Sequence, residues 1–141
     1  MKIQLDDGAF VPVKAHKQDA GWDLLSPIDI VVPPYSQLDI DTGVHMDIPN
    51  HYVGMVKTKS SVIRKRILTE GVVDSGYTGS IHVFVNNLSK DNFFIKRGQK
   101  IAQIVFLLVL DVDELVEVDQ LDDTERGDGG FGSTGIYGGL D

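Results

Sequence analysis

Five short segments rich in valine and isoleucine, "DIVVPP", "QLDIDTGVHMDI", "YVGMVKT", "SIHVFVN" and "KIAQIVFLLVL", recur along the chain and are separated by turns of Pro, Gly, Asn or Asp. β-Branched side chains suit a pleated, half-buried surface, so this punctuation limits the chain to a β fold. In "SIHVFVN", Ile81, Val83 and Val85 share one face while His82, Phe84 and Asn86 share the other, the period of two expected of a strand. The run "IVFLLVL" is apolar on both faces, which predicts a strand covered twice, by the core and by another subunit. Helical spacing is confined to "SSVIRKRI" and "VDELVE", each about two turns at most. The expected fold is an all-β barrel or jelly-roll-like domain with little helix.

With 141 residues, 42% of them hydrophobic, one domain can bury a core of its own. The absence of cysteine excludes disulfides, thiolate metal sites and a cysteine nucleophile. No apolar run is long enough to span a bilayer, and the start lacks a leader pattern, so the expectation is an unprocessed cytoplasmic protein with no membrane partner. A net charge of −8 argues against nucleic acid as a partner. That acidity is local: residues 111 to 123 hold seven acids and no base, leaving 14 acids against 13 Lys and Arg elsewhere. This stretch reads as a solvated connector, which divides the chain into a β domain at 1–123 and a tail at 124–141. Bases gather instead at "KTKSSVIRKR", "KRGQK" and Arg126, where a compact anion could be held.

The tail carries "GDGGFGSTG" at 127–135, five glycines with one aromatic and two hydroxyls. Successive backbone N–H groups in such a loop can cradle phosphate. A nucleotide P-loop is the wrong reading, because the lysine it requires is missing. By itself the stretch reads as a flexible end, but Arg126 could grip phosphate bidentately and Phe131 could close over a base. Four further stretches are individually weak. "GVVDSGYTG" reads as a hairpin turn or as a general base, Asp74, beside Tyr77; "KTKSSVIRKR" as an N-cap or as a cation and two hydroxyls, Lys59, Ser60 and Ser61. "AGWDLLSP" offers one aspartate, Asp23, near a turn, and "GQKIAQIVF" places an amide, Gln103, among strand residues.

Taken in order, "AGWDL", "KSSV", "GVVDSGYTG", "GQKIAQIVF" and "RGDGGFGSTG" resemble the five motifs of the trimeric dUTPase family over almost the whole chain. The resemblance implies a distorted jelly roll or β-barrel with one short helix and a flexible glycine-rich tail. It implies hydrolysis of dUTP to dUMP and pyrophosphate, which keeps uracil out of DNA and supplies dUMP for dTMP synthesis. Asp74 would deprotonate the water that attacks the α-phosphorus, and Tyr77 would lie against the deoxyribose and exclude a 2′-hydroxyl. Backbone groups around Leu68, Val72, Val73 and His82 would read the uracil edge. Lys59, Ser60, Ser61 and Gln103 would hold phosphates, and Asp23 would steady water around a Mg²⁺ chelated by the triphosphate. Phe131 would cover the uracil, with Arg126, Gly132, Ser133 and Thr134 wrapping the β- and γ-phosphates. The family is a homotrimer with shared active sites. It usually has arginine where Lys59 stands, and a lysine lacks the bidentate fork.

Two rivals are weighed. dCTP deaminase shares the fold but needs a glutamate in the strand after the "GYTG" turn, where this chain has Phe84. A regulatory protein-binding role, as in some phage relatives, could be added to catalysis if the gene is phage-encoded.

Overall fold

The computed structural model describes residues 1–110, 112–130 and 132–135, in two compact units, Met1–Asp111 and Val112–Asp141. The first unit is all-β with one short helix, as the turn-punctuated sequence predicts. Its strands are β1 (Ile3–Leu5), β2 (Gly21–Leu25), β3 (Ile30–Val32), β4 (Gln37–Asp41), β5 (Val44–Met46), β6 (Tyr52–Lys57), β7 (Ile67–Val73), β8 (His82–Asn87), β9 (Phe93–Ile95) and β10 (Lys100–Leu108), with α1 (Ser60–Ile63) between β6 and β7. Six strands form one antiparallel sheet in the order β2-β10-β6-β7-β8-β4, and β1-β5 and β3-β9 form two small antiparallel sheets.

The period of two decides what each strand buries. In and before β8, Ile81, Val83 and Val85 are almost fully buried while Phe84 faces outward, matching the faces read from sequence. Leu24, Ile40, Val56, Ile67, Ile101 and Ile104 complete the same core from five other strands. Asn87 continues the buried face of β8, and its amide is fully used. Nδ2 donates to the carbonyls of Val32, Pro33 and Asp91 at 3.0, 3.0 and 2.8 Å, and Oδ1 accepts from the Ser89 backbone N–H and hydroxyl at 2.9 and 2.7 Å. One polar side chain thereby ties β8 to the end of β3 and to the loop before β9.

Within this chain the core covers β10 in its first half, where Ile101, Ala102 and Ile104 are buried, while Leu107 and Leu108 are 50% and 73% exposed. Its pairing with β2 ends at Val105↔Gly21, whereas that with β6 runs on to Leu108↔Tyr52, so the second half loses one neighbouring strand. "SSVIRKRI" gives one helical turn, within the expected length, and Arg66 turns the chain with φ of 61° into β7. One expectation is corrected: residues 112–117, "VDELVE", have no regular secondary structure. Its acids have no base at i+4 to offset their repulsion, and so short a helix is marginal in water. Among the described residues no helix is long and apolar enough to cross a membrane.

Asn87→Ala should lower unfolding stability by about 2–3 kcal/mol in urea titrations, because it strands buried carbonyls rather than merely removing volume. Asn87→Asp should cost at least as much at neutral pH, since a carboxylate cannot donate to three carbonyls.

Candidate active site

β7 lies between β6 and β8, but its two ladders cover different lengths. Toward β6 the pairing runs from Lys57↔Glu70 to Gly54↔Val73, whereas toward β8 it ends at Glu70↔Phe84. Beyond that point the strands part, and a cavity of about 280 Å³ opens between them. Its lining includes Val72, Val73, Asp74, Tyr77, Ser80 and His82. The edges of 71–73 and 81–83 that face each other are outside the ladder, so this slot can offer backbone donors and acceptors to a planar ligand as a neighbouring strand would. Leu68 stands in the paired portion, opposite Asn86, whose Nδ2 donates to the Leu68 carbonyl at 3.3 Å, and it does not line the cavity.

Asp74 follows the last residue of β7, and its carbonyl accepts from the Tyr77 N–H at 3.1 Å, which starts the turn. The Tyr77 hydroxyl donates to the Ser80 carbonyl at 2.8 Å. The ring thus folds back over Gly79, where a Cβ would collide with the phenol hydroxyl and Cζ. His82 is oriented by β4: Nδ1 lies 2.8 Å from Asp39 Oδ1, and Nε2 3.8 Å from Asp41 Oδ2. The Ser80 hydroxyl donates to Asp41, which also accepts from the Gly43 N–H at 2.9 Å. The Ser80 bond above all, with lesser help from the Gly43 N–H, outweighs desolvation and holds the Asp41 carboxyl below the usual carboxylate range.

The expected phosphate residues form a separate cluster. Gln103 on β10 stands opposite Asp23 on β2 and Lys57 on β6, and its Nε2 donates to the Thr58 carbonyl at 3.4 Å. Thr58 is pinned to β7: its hydroxyl donates to the Thr69 carbonyl at 2.9 Å and accepts from the Thr69 N–H at 2.7 Å. The next residue, Lys59, caps α1, whose first turn begins with the exposed Ser60 and Ser61. Asp23 is only 5% exposed and bridges two ammonium groups, Lys59 Nζ on Oδ1 and Lys100 Nζ on Oδ2 at 2.8 Å. Burial alone would raise its pKa; the hydrogen bonds and charges of Lys100 and Lys59 outweigh that and hold the carboxyl below 3.8. In the sequence Lys100 was read only as part of the basic run "KRGQK", because its partner is remote along the chain and strict alternation would set it with Ala102 and Ile104, opposite Gln103; a register shift between Lys100 and Ala102 overrides that alternation.

In the second unit, Arg126, Ser133 and Thr134 line a cavity of about 390 Å³ with Glu125 and Gly129. Arg126 Nε donates to the Gly129 carbonyl at 2.9 Å. Turns close at Thr124–Gly127, Arg126–Gly129, Gly130–Ser133 and Gly132–Gly135. Gly132, with φ of 102°, occupies backbone space that other residues rarely reach. Phe131 lies outside the described residues.

A family model described as dUTPase matches residues 8–135. The deoxyuridine 5'-triphosphate nucleotidohydrolase of Clostridioides difficile is 38% identical over 137 residues, covering 94% of this chain and 95% of that protein. The dUTPase of Staphylococcus bacteriophage 80alpha with dUpNHpp has a similar fold, with a TM-score of 0.88 at 28% identity over 96% of this chain and 98% of that one. A mutant dUTPase from phage phi11 of S. aureus, in a structure describing the coordination of a structural Mg(II) ion, has a TM-score of 0.77 at 26% identity, covering 84% and 96%.

Asp23→Asn should destabilise the first unit by about 2 kcal/mol at neutral pH, since it leaves two ammonium groups without their shared counter-charge. A carboxyl with a lowered folded pKa contributes fully above its unfolded value of 3.8 and loses that contribution as pH falls toward the folded one. Urea titrations should therefore show the variant's deficit shrinking below about pH 4.

Proposed function

The chain belongs to the dUTPase family, and we propose that, as a dUTP diphosphatase, it hydrolyses its substrate by a water that Asp74 aligns and deprotonates. The water oxygen forms a bond to the α-phosphorus, its proton passes to the Asp74 carboxylate, and the bond from the α-phosphorus to the bridging oxygen breaks in line. dUMP and pyrophosphate result. The observation that carries this reading is the slot where β7 and β8 part, with Asp74 and Tyr77 on one wall and the unladdered edge of His82 on the other. A uracil edge set between 71–73 and 81–83 would direct the sugar toward the turn that bears Tyr77. The ring folded over Gly79 would then occupy the space a 2′-hydroxyl needs. Phosphoryl transfer asks chiefly for alignment and charge neutralisation, so no covalent nucleophile is required.

Lys59, Ser60, Ser61 and Gln103 would meet the triphosphate, with Arg126, Phe131, Gly132, Ser133 and Thr134 closing over it. Both Asp23 oxygens already face ammonium groups, so the donor set fits a Mg²⁺ brought in by the triphosphate, not one held beforehand by the protein. When bound, that ion would neutralise phosphate charge, and Asp23 is the carboxylate that would meet its water shell. The proposed assembly is a homotrimer in which subunits share sites, supported by the exposed leucines 107 and 108 at the end of β10.

Asp74→Asn should lower kcat for dUTP by about 10³-fold or more while calorimetric affinity for dUpNHpp changes only a few-fold; near-normal turnover would remove Asp74 from this role. Gly79→Ala should force the Tyr77 ring out of place and raise the UTP-to-dUTP ratio of kcat/KM by about tenfold, and an unchanged ratio would refute the steric role.

A further inference from the structure

His45 sits on β5 opposite Gln4 of β1, away from the cavity lining, yet it reaches the turn that carries Tyr77. Its Nδ1 is 2.8 Å from the Thr78 carbonyl and its Nε2 is 3.2 Å from Asp6 Oδ1. Both neighbours are acceptors only. A neutral imidazole has a single N–H, so it can satisfy one of them and must turn a lone pair toward the other oxygen; only the imidazolium donates to both.

The turn is otherwise attached from outside through Ser80, by the hydroxyl donated to Asp41. Between these tethers Tyr77 closes its own hydrogen bond to the Ser80 carbonyl. We infer that the His45 imidazolium is a positioning residue for substrate discrimination: by holding the Thr78 carbonyl and the Asp6 carboxylate together it fixes Tyr77 against the sugar, and preference for the deoxyribonucleotide falls when it loses its proton. The inference rests on the reading of Tyr77 as the residue facing the sugar.

The surrounding charges favour the protonated form. Asp6 follows β1 and Asp41 ends β4; Lys2 before β1 and Asp47 after β5 line the same shallow cavity as His45 and Thr78. The carbonyl of Thr78 first, and Asp6 next, raise His45 above its ordinary 6.5, against a smaller opposing effect of desolvation. A raised folded pKa means that the clamp is complete below 6.5 and is lost as pH rises through the folded value. His82 is held separately, on Asp39, and shares only Asp41 with this group.

Two measurements on the full chain test the clamp. The first is the dUTP-to-UTP ratio of kcat/KM from about pH 5.5 to 9.5. In the wild type the ratio should fall about tenfold as His45 deprotonates. In His45→Gln it should be low and flat, with kcat for dUTP changed less than about twofold, and His45→Arg, always charged, should restore a ratio that no longer falls with pH. A His45→Gln protein with the wild-type ratio and pH course overturns the inference. The second is NMR titration, which needs no turnover. The His45 imidazole and the Thr78 and Gly79 amides should share a midpoint above 6.5 that drops in Asp6→Asn; a midpoint at or below 6.5, or amides that do not follow it, overturns the clamp. Wild-type protein that hydrolyses neither nucleotide refutes the reading of Tyr77 instead, leaving the NMR result to decide the clamp alone.

Discussion

The early end of the β7–β8 ladder is the constraint on which the rest of the molecule depends. After Glu70↔Phe84 the two strands continue, but not as partners; Ile81 bonds instead to Thr42 and Val44, and the facing edges at Val72 and His82 are left outside the β7–β8 ladder. β7 can leave its partner because β6 still pairs with it as far as Val73, and β8 because β4 pairs with it as far as His82. Each strand therefore stays anchored by one edge while presenting the other. The core below does not collapse, since Val56, Ile81 and Val83 remain packed there. An opening made this way combines strand-like rigidity with unspent hydrogen-bonding capacity, which is the combination recognition of a flat polar ring calls for.

Charge is arranged around that opening by side chains on separate strands. One carboxylate, Asp23, faces two ammonium groups, so the start of β10 carries an excess positive charge within a chain whose net charge is −8. Lysine at position 59 gives up the fork of an arginine, and Lys100 adds a second cation to the same carboxylate. On the far side of the slot the sign is reversed: Asp39 and Asp41 engage His82 and Ser80, and Asp6 engages His45. The two sides of the slot thus differ in sign, and the acidic one serves the protein's own turn.

Much of this was legible in the sequence wherever local pattern and burial agree. The alternation around Ile81, Val83 and Val85 matched the inward face of β8, whereas "QLDIDTGVHMDI", read as one segment, holds two strands, β4 and β5, that belong to different sheets. β7 was harder to read, because Thr69, Glu70 and Gly71 dilute its apolar signal; Thr69 is buried nonetheless, since its N–H and carbonyl are satisfied by the Thr58 hydroxyl. Motif reading placed Val72, Val73, Asp74, Tyr77 and His82 on one cavity but also included Leu68, which pairing keeps out of it. The contacts made by Lys100, Asp41, Asp6 and His45 were not legible for a common reason. Each acts through a contact across strands, and which residues meet there is fixed by register, not by spacing along the chain.

The turn from Asp74 to Ser80 shows what that difference means for function. It lies past the end of the ladder, where neither neighbouring strand can hold it by backbone pairing along its length. Its geometry is set by three side chains, Tyr77 on its own Ser80 carbonyl, Asp41 on the Ser80 hydroxyl and His45 on the Thr78 carbonyl. Backbone ladders are indifferent to pH in the physiological range, whereas two of these three tethers end on titratable groups. Asp41 stays charged well into the acid range, so the carboxylate tether is constant near neutrality. The imidazole is therefore the member whose state can change without unfolding anything else, and the position of the Tyr77 ring inherits that sensitivity from the way the sheet comes apart beside it.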